Sequence, residues 1–437
     1  MATVTPGIRP CTASEECMTM PDTARATAPE WPNLRHLRLL EIAARHDSLT
    51  QAAGQVNISQ PAASQAIAKL GRIFGARLLE RCGNAVMPTD EGRIVVARAR
   101  RALDHLQHPD PGTRSRTRQV RPDLLERYAS VTQLRVMALF AVTGSLSAIA
   151  TELGQTEASV QRALKDIERI IGQPALEGGP RNRVLSAAGQ QVATRASLAL
   201  REIDLAHADL RERAGVFDSR LVIGVLPLAR TRIVPRAIVR LQAQYPSATV
   251  EVLEGAYDFL LRRLRLGACD MIIGALRSDL AQADLDEMPL LRDRLRVVAR
   301  AGHPLAGRRL DPADLAAARW ILPRRDAPAR RVFDAMAARH GLLAAGHGHI
   351  ETGSLVVLRG VLLESDALTL ISPNQISYEI EQGLLRALDV PLDGGERDIG
   401  IAQLQGNMPG QLQSRFIDLI AEEATDIGCQ NSGDDRV

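Results

Sequence analysis

The chain of 437 residues has little to offer a membrane, a disulfide framework or a catalytic centre. No stretch approaches the roughly 18 uninterrupted apolar residues that a membrane helix needs. The first thirty residues, MATVTPGIRPCTASEECMTMPDTARATAPE, lack the apolar run of a secretory signal and read as part of a disordered tail over 1–32. Five cysteines (Cys11, Cys17, Cys82, Cys269 and Cys429) are scattered, odd in number and without CxxC spacing. That excludes a disulfide framework or zinc site and fits a reducing, cytoplasmic setting. Cys82 falls beside a loop expected to face a ligand, where a redox sensor and an inert thiol are both open readings. There is no GxSxG elbow, HExxH, P-loop or GxGxxG, so neither catalytic residues nor a cofactor are expected. The His pair in GHGH, Gly346–His349, lacks ligand partners at fixed spacing and reads as loop rather than metal site.

Lysine is nearly missing too: two residues against 52 arginines, a bias that fits genome composition better than chemistry. The mix of 45% apolar and 24% charged residues is that of a globular protein, and the length suggests about three domains. Residues 1–214 carry 28 basic and 22 acidic side chains, the remainder 26 and 29, so a charge of +6 is followed by −3. A basic first half suits nucleic acid at one end only.

What is present begins with SLTQAAGQVNISQPAASQAIAKL, Ser48 to Leu70. Leu49, Ala52, Ala53 and Val56 share one helical face, Asn57 breaks the pattern, and Ser59 with Pro61 opens a second helix. That helix has Ala63, Ala66, Ile67 and Leu70 on one face and Gln60, Ser64, Gln65 and Ala68 on the other. Two short helices with a tight turn and small hydrogen-bonding groups on the free face describe a helix-turn-helix. Gln can pair bidentately with adenine, and Ser can serve base or phosphate. The following ERCGNAVMPTDEGRIVVARARRALDHL predicts a β-wing about Gly83–Asn84 and a helix from Asp90, with Arg81 and Arg93 placed for phosphates.

Leu37, the run Ser48–Ala53, Ser59–Ala62, Leu70, Gly75, Leu79–Arg81, Thr89 and Gly92 together resemble the winged helix-turn-helix of LysR-type transcriptional regulators. The resemblance implies that DNA is read by Gln60, Pro61, Ala62, Ser64 and Gln65. Many members have Arg where this chain has Gln65, which leaves base preference open.

About a hundred residues on, SLSAIATELGQTEASVQRALKDI repeats the pattern. Ser48, Gly75 and Gly92 match Ser145, Gly172 and Gly189, each 97 residues later, and about 16 of 63 positions are identical between 37–99 and 134–196. A constant offset with a preserved core face predicts a duplicated domain. The Pro-rich, basic stretch 108–123 reads as the linker between copies. In the second copy Ser59–Ala62 becomes Thr156–Glu157–Ala158–Ser159, which places a carboxylate at the tip of the would-be reading helix. Against that repulsion, Arg162 and Lys165 lie outward, and a wing carries Arg181 and Arg183. The copy either touches DNA with other preferences or has become a packing module.

Ser186 to about Arg213 predicts a long linker helix, which the family resemblance pairs with its twin in a dimer; the helix from Gly92 to about Leu106 competes for that role. From Arg220 strands and helices alternate, which predicts parallel α/β sheets in two lobes with a ligand between them. This half resembles the effector-binding domain of the same family, itself similar to periplasmic binding proteins. Loops after the strands supply the candidates for effector contact: Leu228, Ala229, Arg230, Thr231, Gly274, Arg277, Thr352, Ser354 and Pro373. Backbone N–H groups near Thr231 would suit an anion, helped by Arg230 or Arg277.

The expected fold is therefore multi-domain: two α-rich winged helix-turn-helix domains plus a two-lobed α/β periplasmic-binding-protein-like effector domain. The expected boundaries are 33–107 and 124–185 for the winged modules, 186–217 for the linker helix and 218–425 for the effector domain. Its lobes would be 218–290 with 396–425, and 291–395, before a tail over 426–437. The expected partners are double-stranded DNA with a dyad-symmetric promoter site, an unidentified small-molecule effector, and further copies in a homodimer or homotetramer, with no membrane. The alternative is a transport binding protein whose N-terminal modules serve only dimerisation.

Overall fold

The computed structural model describes residues 30–434 except 84, 108–121, 180–181, 278–282, 308–309 and 343–347. Residues 1–29 of the expected tail, most of the 108–123 linker, Arg181 and half of the GHGH segment lie outside those residues; the end of the expected tail is packed instead, with Glu30 on Lys69, Trp31 under Arg135 and Pro32 buried.

The first unit is built from α1 (Leu34–His46), α2 (Leu49–Gln55), α3 (Gln60–Phe74), the hairpin β1 (Leu79–Cys82) and β2 (Ala85–Pro88), and α4 (Asp90–Gln107). Capping explains its boundaries. Ser48 Oγ accepts from Gln51 N, and Ser59 Oγ accepts from Ala62 N, so each short helix starts on a hydroxyl. Between them Asn57 takes the left-handed conformation, φ 53°, that a tight turn needs. The Arg35 guanidinium of α1 donates to the carbonyls of Val56 and Asn57, which fastens that turn to the first helix.

After α5 (Pro122–Tyr128) the same succession recurs: α6 (Val131–Thr143), α7 (Leu146–Leu153), α8 (Glu157–Ile171), the short pair β3 (Leu176–Glu177) and β4 (Val184–Leu185), and α9 (Ala187–Arg213). The expected linker therefore ends earlier than drawn, because Pro122 and Asp123 begin α5. Pro at a first helical turn costs no hydrogen bond, so its presence did not mark a break. Ser145 and Thr156 cap α7 and α8 as Ser48 and Ser59 cap α2 and α3. Gly154, φ 61°, stands where Asn57 stood.

The wing junctions agree bond for bond. Thr89 N donates to Leu78 O at 3.1 Å and Ser186 N to Ala175 O at 3.0 Å. Gly92 N donates to Thr89 Oγ1 at 2.9 Å and Gly189 N to Ser186 Oγ at 3.0 Å. A Cβ at Gly92 would stand 1.8 Å from Leu78 O, and one at Gly189 2.0 Å from Ala175 O. Both contacts are with backbone, which cannot swing aside. Gly92→Ala is expected to cost about 2–3 kcal/mol through overpacking. Gly54→Ala, with open space around its Cβ, should instead gain up to about 1 kcal/mol of helix propensity. Denaturant melts of the two variants check this pair, and equal effects would refute the close-approach argument.

The two candidate dimerisation helices pack on each other within one chain. Asp90 and Glu91 at the start of α4 meet Arg213 at the end of α9, while Arg98 meets Glu202 at 3.0 Å and Asp209 at 2.7 Å, so the helices run antiparallel. Neither is the exposed spacer that a linker could have been. Their apolar faces join a single core with both helical units.

The C-terminal half contains two five-stranded sheets. Its elements are β5 (Arg220–Val225), α10 (Ile233–Gln244), β6 (Thr249–Glu254), α11 (Tyr257–Arg265), β7 (Met271–Ala275), β8 (Leu285–Arg294) and β9 (Arg296–Arg300). There follow α12 (Pro312–Ala317), β10 (Arg319–Leu322), α13 (Pro328–His340), β11 (Ile350–Glu351), α14 (Leu355–Glu364) and β12 (Ala367–Ile371). The chain closes through α15 (Ser377–Glu381), β13 (Leu385–Leu388), β14 (Glu396–Leu404) and α16 (Gln411–Asp434). The strand orders are β6-β5-β7-β14-β8 and β11-β10-β12-β9-β13.

Three of these expectations need correction. The sheets are mixed, not parallel: β14 runs antiparallel to β7 and β8, and β9 antiparallel to β12 and β13. The first lobe keeps all of β8, so the chain crosses between lobes at Leu295 rather than after 290; the long β8–β14 pairing holds the strand there. Residues 426–434 continue α16 rather than forming a tail. Helices cover both faces of each sheet, so each lobe has a core on either side.

Candidate nucleic-acid interface and ligand cleft

Ala63, Ala66 and Leu70 of α3 are buried against the rest of the first unit, while Gln60, Pro61, Ser64 and Gln65 are exposed and Ala62 is half-buried. The outward strip is short, neutral and rich in hydrogen-bonding groups, so a duplex could approach it closely. Arg81 is exposed on β1. Arg93 is exposed as well, but its guanidinium already holds Asp90 at 2.6 Å, so a phosphate would compete with that pair. The sequence did not single out Arg35, whose hydrogen bonds set the angle between the two helices.

In α8, Val160, Ala163, Leu164 and Ile167 are buried, and Gln161, Arg162 and Lys165 are exposed. Arg169, also exposed, pairs with Asp166 at 2.7 Å. Arg183 is half-buried beside β4. The α8 face thus keeps the orientation of the α3 face but carries charge in place of amides.

Between the two lobes lies a cavity of about 450 Å³. Of the expected contacts, Leu228, Arg230, Arg277, Thr352 and Ser354 line it, whereas Ala229, Thr231, Gly274 and Pro373 do not. Ala229 is turned into the core. Thr231 Oγ1 instead donates to Asn374 O at 3.2 Å, joining the lobes. A Cβ at Gly274 would lie 2.4 Å from Leu226 Cβ, so that position serves packing. Pro373 begins a 3-10 turn whose Gln375, and not Pro373, reaches the cavity. The helix starts that reach the cavity are those of α11, α13 and α14, the last capped by Ser354 Oγ, which accepts from Val357 N, and not that of α10.

Glu254, Tyr257, Arg324, Asp326, Gln375 and Arg397 also line the cavity and were not foreseen. They come from four separate stretches of the chain, near 254–257, 324–326, 375 and 397, which no local spacing connects. Arg230 donates to Val225 O and pairs with Glu254 at 3.2 Å. Burial lowers its pKa, and Glu254 partly offsets that. Arg277 lies 4.8 Å over the Tyr257 ring and donates across the cleft to Asp326 O. Arg324 grips Asp326 through two bonds, which hold its carboxyl below the usual range. Arg397 pairs with buried Asp293 at 2.9 Å, and Asp293 also accepts from Ser372 and Asn374 of the second lobe. Four arginines from the two lobes therefore converge on a cavity that carries two carboxylates of its own.

Of the cysteines, Cys82 is exposed and Cys269 buried, with burial pushing the Cys269 thiol up to about 12, which makes it inert. Among the described residues no helix is long and apolar enough to cross a membrane, and no three His, Cys, Asp or Glu side chains cluster as metal ligands.

Comparison with known proteins agrees with this arrangement. Residues 34–93 match the model for bacterial regulatory helix-turn-helix proteins of the lysR family, and residues 214–425 the LysR substrate binding domain. The chain is 34% identical to the HTH-type transcriptional regulator GalR of Pseudomonas putida over 377 residues, which is 86% of this chain and 94% of that one. It is 25% identical to the HTH-type transcriptional regulator PcaQ of Agrobacterium fabrum, over 62% of this chain and 88% of that one. Full-length OxyR of Pseudomonas aeruginosa shares the fold at 19% identity, with a TM-score of 0.52 over 68% of this chain and 95% of that one.

Proposed function

The chain belongs to the LysR family of helix-turn-helix transcriptional regulators, and from that premise we propose that α3 reads double-stranded DNA while the inter-lobe cleft takes a small anionic effector. The observation that carries the DNA reading is the division of α3 into a buried alanine–leucine face and an exposed face bearing Gln60, Ser64 and Gln65. The match at 34–93 decides against the transport alternative.

The segment 124–185 is a second copy of the first winged module, with Arg162, Lys165, Arg181 and Arg183 as its candidate phosphate contacts. The repeated caps and wing bonds, 97 residues apart, support the duplication. So does the 377-residue alignment with GalR, which is too long for one module and an effector domain alone. The regulator works in the cytoplasm as a dimer or tetramer on a promoter site of dyad symmetry. Selection of bound duplexes from a random pool tests the DNA reading; failure to enrich any sequence would refute it.

For the cleft, the excess of arginine over carboxylate favours a carboxylate or phosphate group, held by Arg277 and the start of α14. A carboxylate effector at a hundred times its Kd should raise the unfolding free energy by about 2.7 kcal/mol. Arg277→Ala should weaken that ligand at least tenfold, as expected for a lost charge-assisted bond of about 1.5–3 kcal/mol. A thermal-shift panel of organic acids and matched neutral compounds reads this. Equal stabilisation by the neutral set would overturn the charge argument.

A further inference from the structure

We infer that one chain carries a complete two-headed DNA-binding unit, in which α3 reads bases in one major groove and α8 holds phosphates along an adjoining stretch of the same duplex. The inference rests on the DNA reading above and extends it to the second module.

The argument begins at the α4–α9 contact. The helices run antiparallel, and each buries the same positions of its module: Val95 and Val192, Ala99 and Ala196, Ala102 and Ala199. Two like helices that meet antiparallel through like faces are related by a two-fold axis. Each helix continues directly from its own wing, and each wing is fastened to its helix by the same bonds. The axis that relates α4 to α9 therefore also relates α3 to α8. Symmetric readers of duplex DNA have that arrangement, with two reading helices about one helical turn apart.

This pair is locked and not a transient contact. Arg98, 1% exposed, is held between Glu202 and Asp209, and Arg101 takes the other Glu202 oxygen at 2.7 Å. The surface of α4 that could receive a second molecule is already filled by α9 of its own chain. The pairing of modules is thus settled when the chain folds, whatever its concentration.

The two heads differ in chemistry. The α3 strip is uncharged and suited to base edges, whereas α8 presents Arg162 and Lys165, with Glu157 at its tip repelling a deep approach. One chain then contacts an unequal site, with one half read for sequence and the neighbouring half held by charge. Two chains joined elsewhere would restore overall dyad symmetry by repeating that unequal unit.

The test uses full-length protein on a duplex obtained by selection. Arg162→Ala with Lys165→Ala changes two exposed side chains, and an unaltered melting curve confirms folding. The double variant should lose protection over about 10 base pairs on one flank of the read sequence. Its plot of log Kd against log salt should be shallower by about 2, at nearly one per lost phosphate contact. The preferred sequence should stay the same. An unchanged footprint and slope would overturn the inference and make the second module a packing domain, while leaving the α3 reading intact. A shift in preferred sequence would overturn it differently, by making α8 a reader. Absence of any preferred sequence in the unaltered protein would instead refute the DNA reading itself.

Discussion

Glu202→Gln is expected to lower the unfolding free energy of the helical N-terminal unit by about 3 kcal/mol at pH 7, with the deficit closing as the pH falls towards 2. Glu202 is 4% exposed, and burial alone would raise its pKa. His105, Arg101 and Arg98 outweigh that burial and bring the carboxyl to about 2, from an ordinary 4.5. A carboxylate whose pKa is depressed in the folded state contributes stability that is present in full above its unfolded value. That contribution is lost as the pH falls through the folded one, so the window here runs from about 4.5 down to 2. Glutamine keeps the shape and one acceptor but leaves Arg98 and Arg101 with less negative charge in a dry contact, a change costly in itself. Urea melts of both proteins at pH 7, 5 and 3 measure the gap. A deficit that stays constant across that range would mean that shape, not charge, holds α4 to α9.

The second large effect is on recognition. Gln60→Ala combined with Ser64→Ala should weaken binding to the selected duplex by about 2–4 kcal/mol, roughly 30- to 1000-fold, if each loses a base contact of about 1–2 kcal/mol. Both side chains are exposed, so folding is expected to be untouched. Affinity for a scrambled duplex should hardly move, because phosphate contacts supply nearly all non-specific binding. Titration of both duplexes at one fixed salt concentration gives the two numbers. Equal losses on both would place the reading surface elsewhere. A preserved ratio between the two would do the same.

The helix-turn-helix was legible because its determinants are local. Ser48, Asn57, Ser59 and Pro61 act on backbone groups within a few residues, and the spacing of Ala63, Ala66 and Leu70 marks the buried face without reference to any partner. The repeat was legible for a related reason: a gapless offset of 97 keeps caps, turn and wing in step, and the matching bonds follow. The alternation of strands and helices in the second half was equally plain. Its strand directions were not, because β8, β9, β13 and β14 take their orientation from neighbours that are distant in the chain.

The cleft shows the same divide more sharply. Loops that follow strands could be named, and five of nine expected residues line the cavity. Arg324 and Asp326 meet the first-lobe arginines only because two lobes close on each other, and Asp293, which holds Arg397 across β8 and β14, is tied to the second lobe by Ser372 and Asn374.

By itself, then, the sequence determined the local devices: where each helix starts and turns, which face is apolar, and that the pattern of caps and turn recurs 97 residues later. Only the tertiary structure decided what those devices do to one another, by seating α4 against α9 inside one chain and by bringing four arginines from two lobes to one cavity. Caps and periodicity act over a turn of helix, whereas ion pairs such as Arg98 with Glu202 join residues 104 apart and exist only once the chain has folded.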